Sequence, residues 1–262
     1  MSLIIQLVIF LIAVLFFYLA IRIAIIWASR PEKKKLGRPF GGMWRTAKIY
    51  QDMQDEIKKN EEIETNLPLI EKIKGPFCCL CGNPQNTSRK CKSCEKNDWQ
   101  HIDQIRLVIK HNSQVQDIIY SMKKRIEPVY FEKIMTLAND RLRIAGWQFS
   151  HVCYVPSDKE TFNLSLAISE HVTATRGDCD LVIISKIRET RKQKQMKSVQ
   201  GRKTNVFGAF KVESVLTGQN VLICDDFSTS GATFDEIARV LKEAGAGQVF
   251  GLALTRRLWE EK

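Results

Sequence analysis

The hydrophobic and polar positions divide the chain into an apolar start, a charged linker, a cysteine-rich segment and a long region of alternating strands and helices. The residues Leu3–Ile21 are almost entirely apolar, Arg22 interrupts the run, and a second apolar stretch continues to Ala28. About 20 apolar residues span a bilayer as a helix, so residues 1–28 are predicted to form a transmembrane anchor. A cleaved signal peptide is the alternative, but this run is long and no Lys or Arg precedes it.

The linker, residues 29–73, is basic at its start. Seven basic residues and one acidic residue lie between Arg30 and Lys48, which gives this segment a net charge of +6. The positive-inside rule then predicts a single-pass protein of the inner (cytoplasmic) membrane, with its C-terminal part in the cytoplasm. The Glu/Lys spacing that follows fits a solvated helix, and the basic start is suited to contact anionic lipid headgroups.

The segment 74–98 is predicted to be a small zinc ribbon. Two Cys-x-x-Cys pairs lie in it: Cys78, Cys81, Cys91 and Cys94. Four thiolates at this spacing can surround a tetrahedral Zn²⁺ and leave no open position, so the zinc is predicted to be structural. Cys79 could replace Cys78 as a ligand, and four unmetallated cysteines in a loop are the alternative. Reduced cytoplasmic thiols favour a metal over disulfides.

The remaining residues, 99–262, are predicted to form an α/β domain with a parallel sheet. Residues 99–145 have mainly helical periodicity, interrupted at Pro128. In this stretch the basic side chains of Lys123–Arg125 could face a ligand or only water. From His151 onward four apolar runs (HVCYVP, DLVII, NVLIC and QVFGLAL) are predicted strands, with helical patterns in NLSLAISEHV and FDEIARVLKEAGA. Strands that are buried on both faces and joined by helices indicate a parallel sheet.

An acidic pair, Asp225 and Asp226, follows one of these strands, at the sheet edge where such folds bind ligands. Free amides at the start of the next helix would form an anion site, and a glycine lets the backbone approach a ligand. The carboxylates would instead accept hydrogen bonds from ribose hydroxyls or bind Mg²⁺. A phosphoribosyl group satisfies both halves, whereas a helix cap and a loop charge are the alternative. The turn consists of Ser228, Thr229, Ser230, Gly231, Ala232 and Thr233.

The stretch VLICDDFSTSGAT resembles the binding motif for 5-phosphoribosyl-1-diphosphate (PRPP) in type I phosphoribosyltransferases. Upstream of it lie Thr190 and Gln193, then RKTNVFGAF from Arg202 to Phe210. Together with the cysteine pairs, these motifs make residues 77–257 similar to the ComF family of competence-associated proteins, which carry a four-cysteine zinc finger before a phosphoribosyltransferase-like domain.

The resemblance implies roles for several residues. Asp225 and Asp226 would be the catalytic pair, and the turn 228–233 would bind the 5-phosphate, with Mg²⁺ accompanying PRPP. Arg202 is implied as a further PRPP contact, and Lys159 could compensate for a basic residue that the family carries in its diphosphate loop. The family's usual R-G-F-N ending of the diphosphate loop is replaced here by residues 160–163, E-T-F-N. Thr229 stands where enzymes acting on 6-oxopurines carry an aspartate, which disfavours that substrate class.

Charge and motif together leave three functional hypotheses. The net charge is +11, and the segment Lys186–Lys203 contributes +7 of it, which favours phosphate compounds or nucleic acid as partners. The first hypothesis is a phosphoribosyltransferase of nucleotide or nucleobase metabolism with an unknown acceptor. The second is a module that senses PRPP or a nucleotide without turnover. The third is a membrane-associated competence factor that contacts single-stranded DNA or the DNA-uptake machinery.

Overall fold

The computed structural model describes residues 70, 72–97, 99–157, 162–191 and 198–256. The predicted membrane anchor, residues 1–28, and nearly all of the linker lie outside these residues. Among the residues that are described, no helix is long and apolar enough to cross a membrane.

The described residues form six helices and seven strands. In chain order these are α1 (Lys92–Asn97), β1 (Gln104–Leu107), α2 (Ser113–Met122), α3 (Pro128–Ala145), β2 (His151–Tyr154), α4 (Leu164–Arg176), β3 (Asp180–Val182), β4 (Ile184–Lys186), α5 (Val199–Val206), β5 (Phe210–Val212), β6 (Val221–Ser228), α6 (Ala232–Glu243) and β7 (Val249–Arg256).

The main sheet has five strands in the order β1-β7-β6-β2-β3, and every pair in it is parallel. Strand β6 lies at the centre, and its side chains alternate between two hydrophobic cores. Leu222 and Cys224 pack into one core, whereas Val221 and Ile223 pack into the other. A strand buried on both faces reads as a continuous apolar run, which is why NVLIC was recognisable in the sequence.

Helices cover both faces of this sheet. On one face, Ile119 of α2, Phe131 of α3 and Ile168 of α4 are buried in the same core. On the other face, Phe234 of α6 packs with Phe210 of the two-stranded β4–β5 sheet. The predicted parallel-sheet α/β fold is therefore confirmed, and the carboxyl ends of β2, β6 and β7 meet at one edge.

Local signals set the helix boundaries near that edge. Pro128 is the first residue of α3. Its fixed backbone angle suits the first turn of a helix, so a new helix begins here and is separate from α2. Asn163 caps α4, because its side-chain oxygen accepts hydrogen bonds from the N–H groups of Ser165 and Leu166. This cap fixes the start of α4 and brings Ser165 to the carboxyl end of the sheet.

Three parts of the sequence prediction differ from the fold. Residues 99–145 are not wholly helical, because Gln104–Leu107 form the edge strand β1. The run DLVII is divided between β3 and β4, and β4 leaves the main sheet to pair antiparallel with β5. Strand β6 continues to Ser228, so the acidic pair belongs to the strand and the turn begins after it. The edge strand β1 is too short to stand out from the helical pattern around it, and the five-residue run DLVII does not show where one strand ends and the next begins.

Candidate active site

The acidic pair lies near the carboxyl end of the central strand β6. Asp225 Oδ1 accepts a hydrogen bond from Ser165 Oγ at 3.0 Å and another from the Asp226 N–H at 2.9 Å. Burial and, secondarily, the neighbouring Asp226 carboxylate raise the pKa of Asp225 to about 7. The ligand-free site therefore holds a carboxyl group in surroundings that disfavour its charge, which is common where a fold prepares a binding site.

Lys123 provides the counter-charge for the pair. This residue follows α2 directly, and its Nζ lies 2.7 Å from Asp226 Oδ1. Burial alone would lower the pKa of Lys123, but the carboxylates of Asp226 and Asp225 outweigh it and raise that pKa. The Lys123 side chain is 40% exposed and that of Asp226 only 10%, so solvent reaches the ion pair from the lysine side.

The turn after β6 is shaped by one glycine. Gly231 has φ of 82°, in the left-handed region that disfavours other residues, and it directly precedes helix α6. Ser228 Oγ is buried and has no hydrogen-bond partner among the described residues. A buried hydroxyl without a partner is costly, so this group is suited to bind a polar ligand atom.

A cavity of about 400 Å³ joins these elements. Lys186, Thr190 and Arg191 contribute a polar wall, in which Lys186 Nζ donates a hydrogen bond to Thr190 Oγ1 at 2.7 Å. Helix α2 contributes another part of the lining, where Gln116 and Tyr120 lie one turn apart. The site therefore presents carboxylates, hydroxyls and cations to the same space, the groups that a phosphorylated sugar requires.

The structure brings most of the sequence-predicted site residues together. Those that line the cavity are Asp225, Asp226, Ser228, Thr229, Gly231 and Thr233. Ser230 and Ala232 are buried in the same turn but do not line the cavity, and Ser230 Oγ accepts a 3.4 Å hydrogen bond from the Ala232 N–H. Arg202 is buried in α5, away from the lining. Lys159 lies outside the described residues.

Sequence reasoning left the role of Lys123 undecided and missed the α2 wall. The basic run at 123–125 was visible, but nothing in it distinguished a lysine facing a carboxylate from one facing water. The spacing of Gln116, Tyr120 and Lys123 by four and three residues does place them on one side of a helix. That periodicity does not show which side of the helix faces the carboxyl end of the sheet, so it could not identify the cavity wall by itself.

A second site is the cysteine cluster. The four sulfur atoms of Cys78, Cys81, Cys91 and Cys94 lie within 4.8 Å of one another. Two Sγ–Sγ distances, Cys78 to Cys94 and Cys81 to Cys91, are 3.7 Å. A tetrahedral Zn²⁺ with Zn–S bonds of about 2.3 Å requires an S–S separation of about 3.8 Å.

Backbone donors also fit this metal. Cys78 Sγ accepts hydrogen bonds from the N–H groups of Cys81 at 3.5 Å and Cys91 at 3.3 Å. Hydrogen bonds among the four thiols lower the pKa of Cys78 and Cys91 and raise that of Cys81 and Cys94, so protons shared within the cluster would be displaced by a metal. Cys79 is exposed and stands apart from the cluster, which resolves the choice between Cys78 and Cys79 in favour of Cys78.

Comparison with known proteins supports the same fold and family. The family model for the phosphoribosyl transferase domain matches residues 131–256. The competence protein ComFC of Bacillus subtilis is 25% identical over 199 residues, which cover 71% of this chain and 80% of that protein. The DNA utilization protein YhgH of Salmonella typhi is 37% identical over 79 residues, covering 30% of this chain and only 34% of the relative.

Solved structures give a more distant similarity. A purine phosphoribosyltransferase from Pyrococcus horikoshii has a TM-score of 0.34 and 16% identity, covering 50% of this chain and 76% of its own. An adenine phosphoribosyltransferase from Leishmania tarentolae has a TM-score of 0.37 and 11% identity, covering 55% and 75%. Similarity this low does not bear on the substrate of the present protein.

Proposed function

Because this chain belongs to the ComF family of phosphoribosyltransferase-like proteins, we propose that it binds PRPP and transfers the phosphoribosyl group to an acceptor. The observation that carries the proposal is the shared cavity, in which Asp225 and Asp226 lie beside the hydroxyl-rich turn. Their carboxylates accept hydrogen bonds from the ribose hydroxyls, while the turn after Ser228 binds the 5-phosphate.

The cationic wall completes this arrangement. Lys186 and Arg191 line the cavity and provide positive charge for a diphosphate. Lys123 offsets the charge of Asp226 before the ligand arrives. In the transfer, the bond between C1 and the diphosphate oxygen breaks, positive charge develops on the ribose, and the acceptor bonds to C1 as diphosphate leaves. Mg²⁺ bound with PRPP would stabilise the charge on the leaving group, and the acidic pair has the oxygen ligands it prefers.

Calorimetric titration of the full-length protein with PRPP and Mg²⁺ tests the proposal. The wild-type protein is expected to bind, and the double variant D225N/D226N is expected to lose binding. D178N is a matched control, because Asp178 is an exposed aspartate that pairs with Arg176 away from the cavity. Absence of binding by the wild-type protein would refute the proposal. Labelled PRPP supplied with a series of nucleobases then separates transfer from binding without turnover.

A second candidate function is the binding of single-stranded DNA. The segment Lys186–Lys203 carries a net charge of +7, and the names of the relatives refer to competence and DNA utilization. Fluorescence anisotropy with a labelled oligonucleotide tests it, and the affinity should fall steeply with salt as counterions are released. DNA binding by a protein that does not bind PRPP would favour this function over transfer.

We also propose that residues 1–28 attach the protein to the inner membrane, with the rest of the chain in the cytoplasm. Its support is the apolar run of Leu3–Ile21 and the basic residues that follow it. The full-length protein should remain with the membranes after alkaline extraction, and deletion of residues 1–28 should release it. Recovery of the full-length protein in the soluble fraction would contradict this attachment.

A further inference from the structure

The zinc ribbon and the turn after β6 meet at Trp99. Its ring packs against the cysteine cluster on one side and against the core that contains Ala232 and Phe234 on the other. A Cβ atom added to Gly231 would lie only 2.0 Å from Trp99 Cζ2 and 2.6 Å from its Cε2. The indole ring therefore lies directly against the backbone of the turn and limits how far that turn can move toward the ribbon.

Asp235 provides a second link between the same two parts. One oxygen of its carboxylate accepts hydrogen bonds from the N–H groups of Gln100 at 3.1 Å, His101 at 2.8 Å and Ile102 at 3.1 Å. Asp235 lies in the first turn of α6, and its own N–H donates to the Gly231 carbonyl at 3.0 Å. The segment after Trp99 is therefore hydrogen-bonded to the start of α6, next to the turn, through a residue that is only 9% exposed.

The orientation of Trp99 depends on packing. The indole Nε1 is buried and has no hydrogen-bond partner among the described residues, so packing contacts hold the ring in place. The ring instead rests on the cysteine cluster, and Arg256 lies over it with Cζ 5.8 Å from the ring centroid. Bound metal contributes folding energy to a site of this kind, so the support under Trp99 is strongest when the four thiolates hold zinc.

From these contacts we propose that Trp99 is a positioning residue through which the metal-loaded ribbon holds the turn 229–231 in the shape that binds a phosphate. Zinc binding then controls the affinity of the turn for phosphate, whereas the carboxylates of Asp225 and Asp226 lie elsewhere in the same cavity. The phosphate part of this inference rests on the proposed function, whereas the coupling between metal and turn does not.

Hydrogen–deuterium exchange of the full-length protein tests the coupling without any ligand. Removal of zinc with a chelator is expected to speed exchange of the amides in residues 227–234 by at least about threefold and to leave β2 unchanged. In W99A these amides should exchange fast with or without zinc. Unchanged exchange of residues 227–234 after zinc removal, or in W99A, would overturn the coupling.

A binding measurement tests the link to phosphate. For W99A and for D235A, which removes the oxygen that accepts the three N–H hydrogen bonds, the dissociation constant of ribose 5-phosphate is expected to rise about tenfold, since a displaced turn misplaces its donors. Leu80 also packs on the cysteine cluster, whereas the three atoms nearest to a Cβ at Gly231 all belong to Trp99, so L80A should keep the wild-type affinity. Equal affinities of W99A, D235A and the wild-type protein would refute the positioning role. Failure of the wild-type protein to bind would refute the proposed function and leave the exchange result to decide the coupling.

Discussion

The substitution Asp225→Asn is expected to stabilise the ligand-free protein while it weakens PRPP binding. Asp225 Oδ1 accepts hydrogen bonds from Ser165 Oγ and the Asp226 N–H, and an asparagine oxygen can accept both. The substitution therefore removes mainly a charge. Burial and the nearby Asp226 carboxylate disfavour that charge, which raises the pKa of Asp225 from 3.8 to about 7.

The sign and size of the effect follow from this pKa. Between pH 3.8 and about 7 the folded protein holds a proton that the unfolded chain releases. The stabilisation from this proton is complete below the unfolded pKa and is lost as the pH rises through the folded pKa. A difference of about three pKa units corresponds to at most about 4 kcal/mol, and entry of water into the open cavity reduces it. The asparagine of the variant stays neutral at every pH, so the advantage of the variant grows from about pH 4 to about pH 7 and is then constant.

Urea unfolding of the full-length wild-type protein and D225N, measured from about pH 4 to about pH 8.5, gives the required free energies. The variant should be more stable by about 2 to 4 kcal/mol above pH 7 and nearly equal to the wild-type protein near pH 4. D178N serves as the control, because the neighbouring Arg176 lowers the pKa of that exposed carboxyl and the substitution should give no gain at high pH. Parallel pH profiles for D225N and the wild-type protein would refute the reasoning.

Two further predictions concern the ion pair and the metal. K123M should lower the free energy of unfolding by about 1 to 2 kcal/mol, because it leaves the Asp226 carboxylate without its 2.7 Å partner. The double variant K123M/D226N should recover most of this loss. Equal losses in the single and double variants would show that the ion pair does not contribute to stability. C91S should lose bound zinc in elemental analysis of the purified protein, whereas C79S, at an exposed position outside the cluster, should retain it; zinc loss in both variants would contradict the assigned ligand set.

The parts of the site that could be predicted are those whose residues are contiguous in the chain. Strand β6 and the turn after it occupy residues 221–231, so the apolar run, Asp225, Asp226 and Gly231 could be recognised together. The cysteine pairs have the same property, because their spacing carries the coordination geometry. In both cases the sequence was sufficient to identify the group, because one short segment contains all of its residues.

The unpredicted parts depend on how distant segments pack. Lys123 reaches Asp226 only because α2, which lies far earlier in the chain, packs over the carboxyl end of the sheet. Strand β1 is an edge strand of four residues with alternating burial, so its pattern is too short to compete with the helical periodicity around it. Nothing local distinguishes a lysine that neutralises a carboxylate from one that faces solvent.

Gly231 shows how the two kinds of information differ. The sequence indicates a glycine that lets the backbone approach a ligand, and Gly231 does line the cavity. The structure adds that Trp99 occupies the place where its side chain would be. An alanine at position 231 would therefore meet both a strained backbone at φ of 82° and the indole ring. A glycine is thus favoured at this position for two reasons, the cavity on one side of the turn and the Trp99 ring against its backbone. Loss of ligand affinity on substituting Gly231 cannot by itself identify a phosphate contact, which is why the coupling is tested at Trp99 and Asp235.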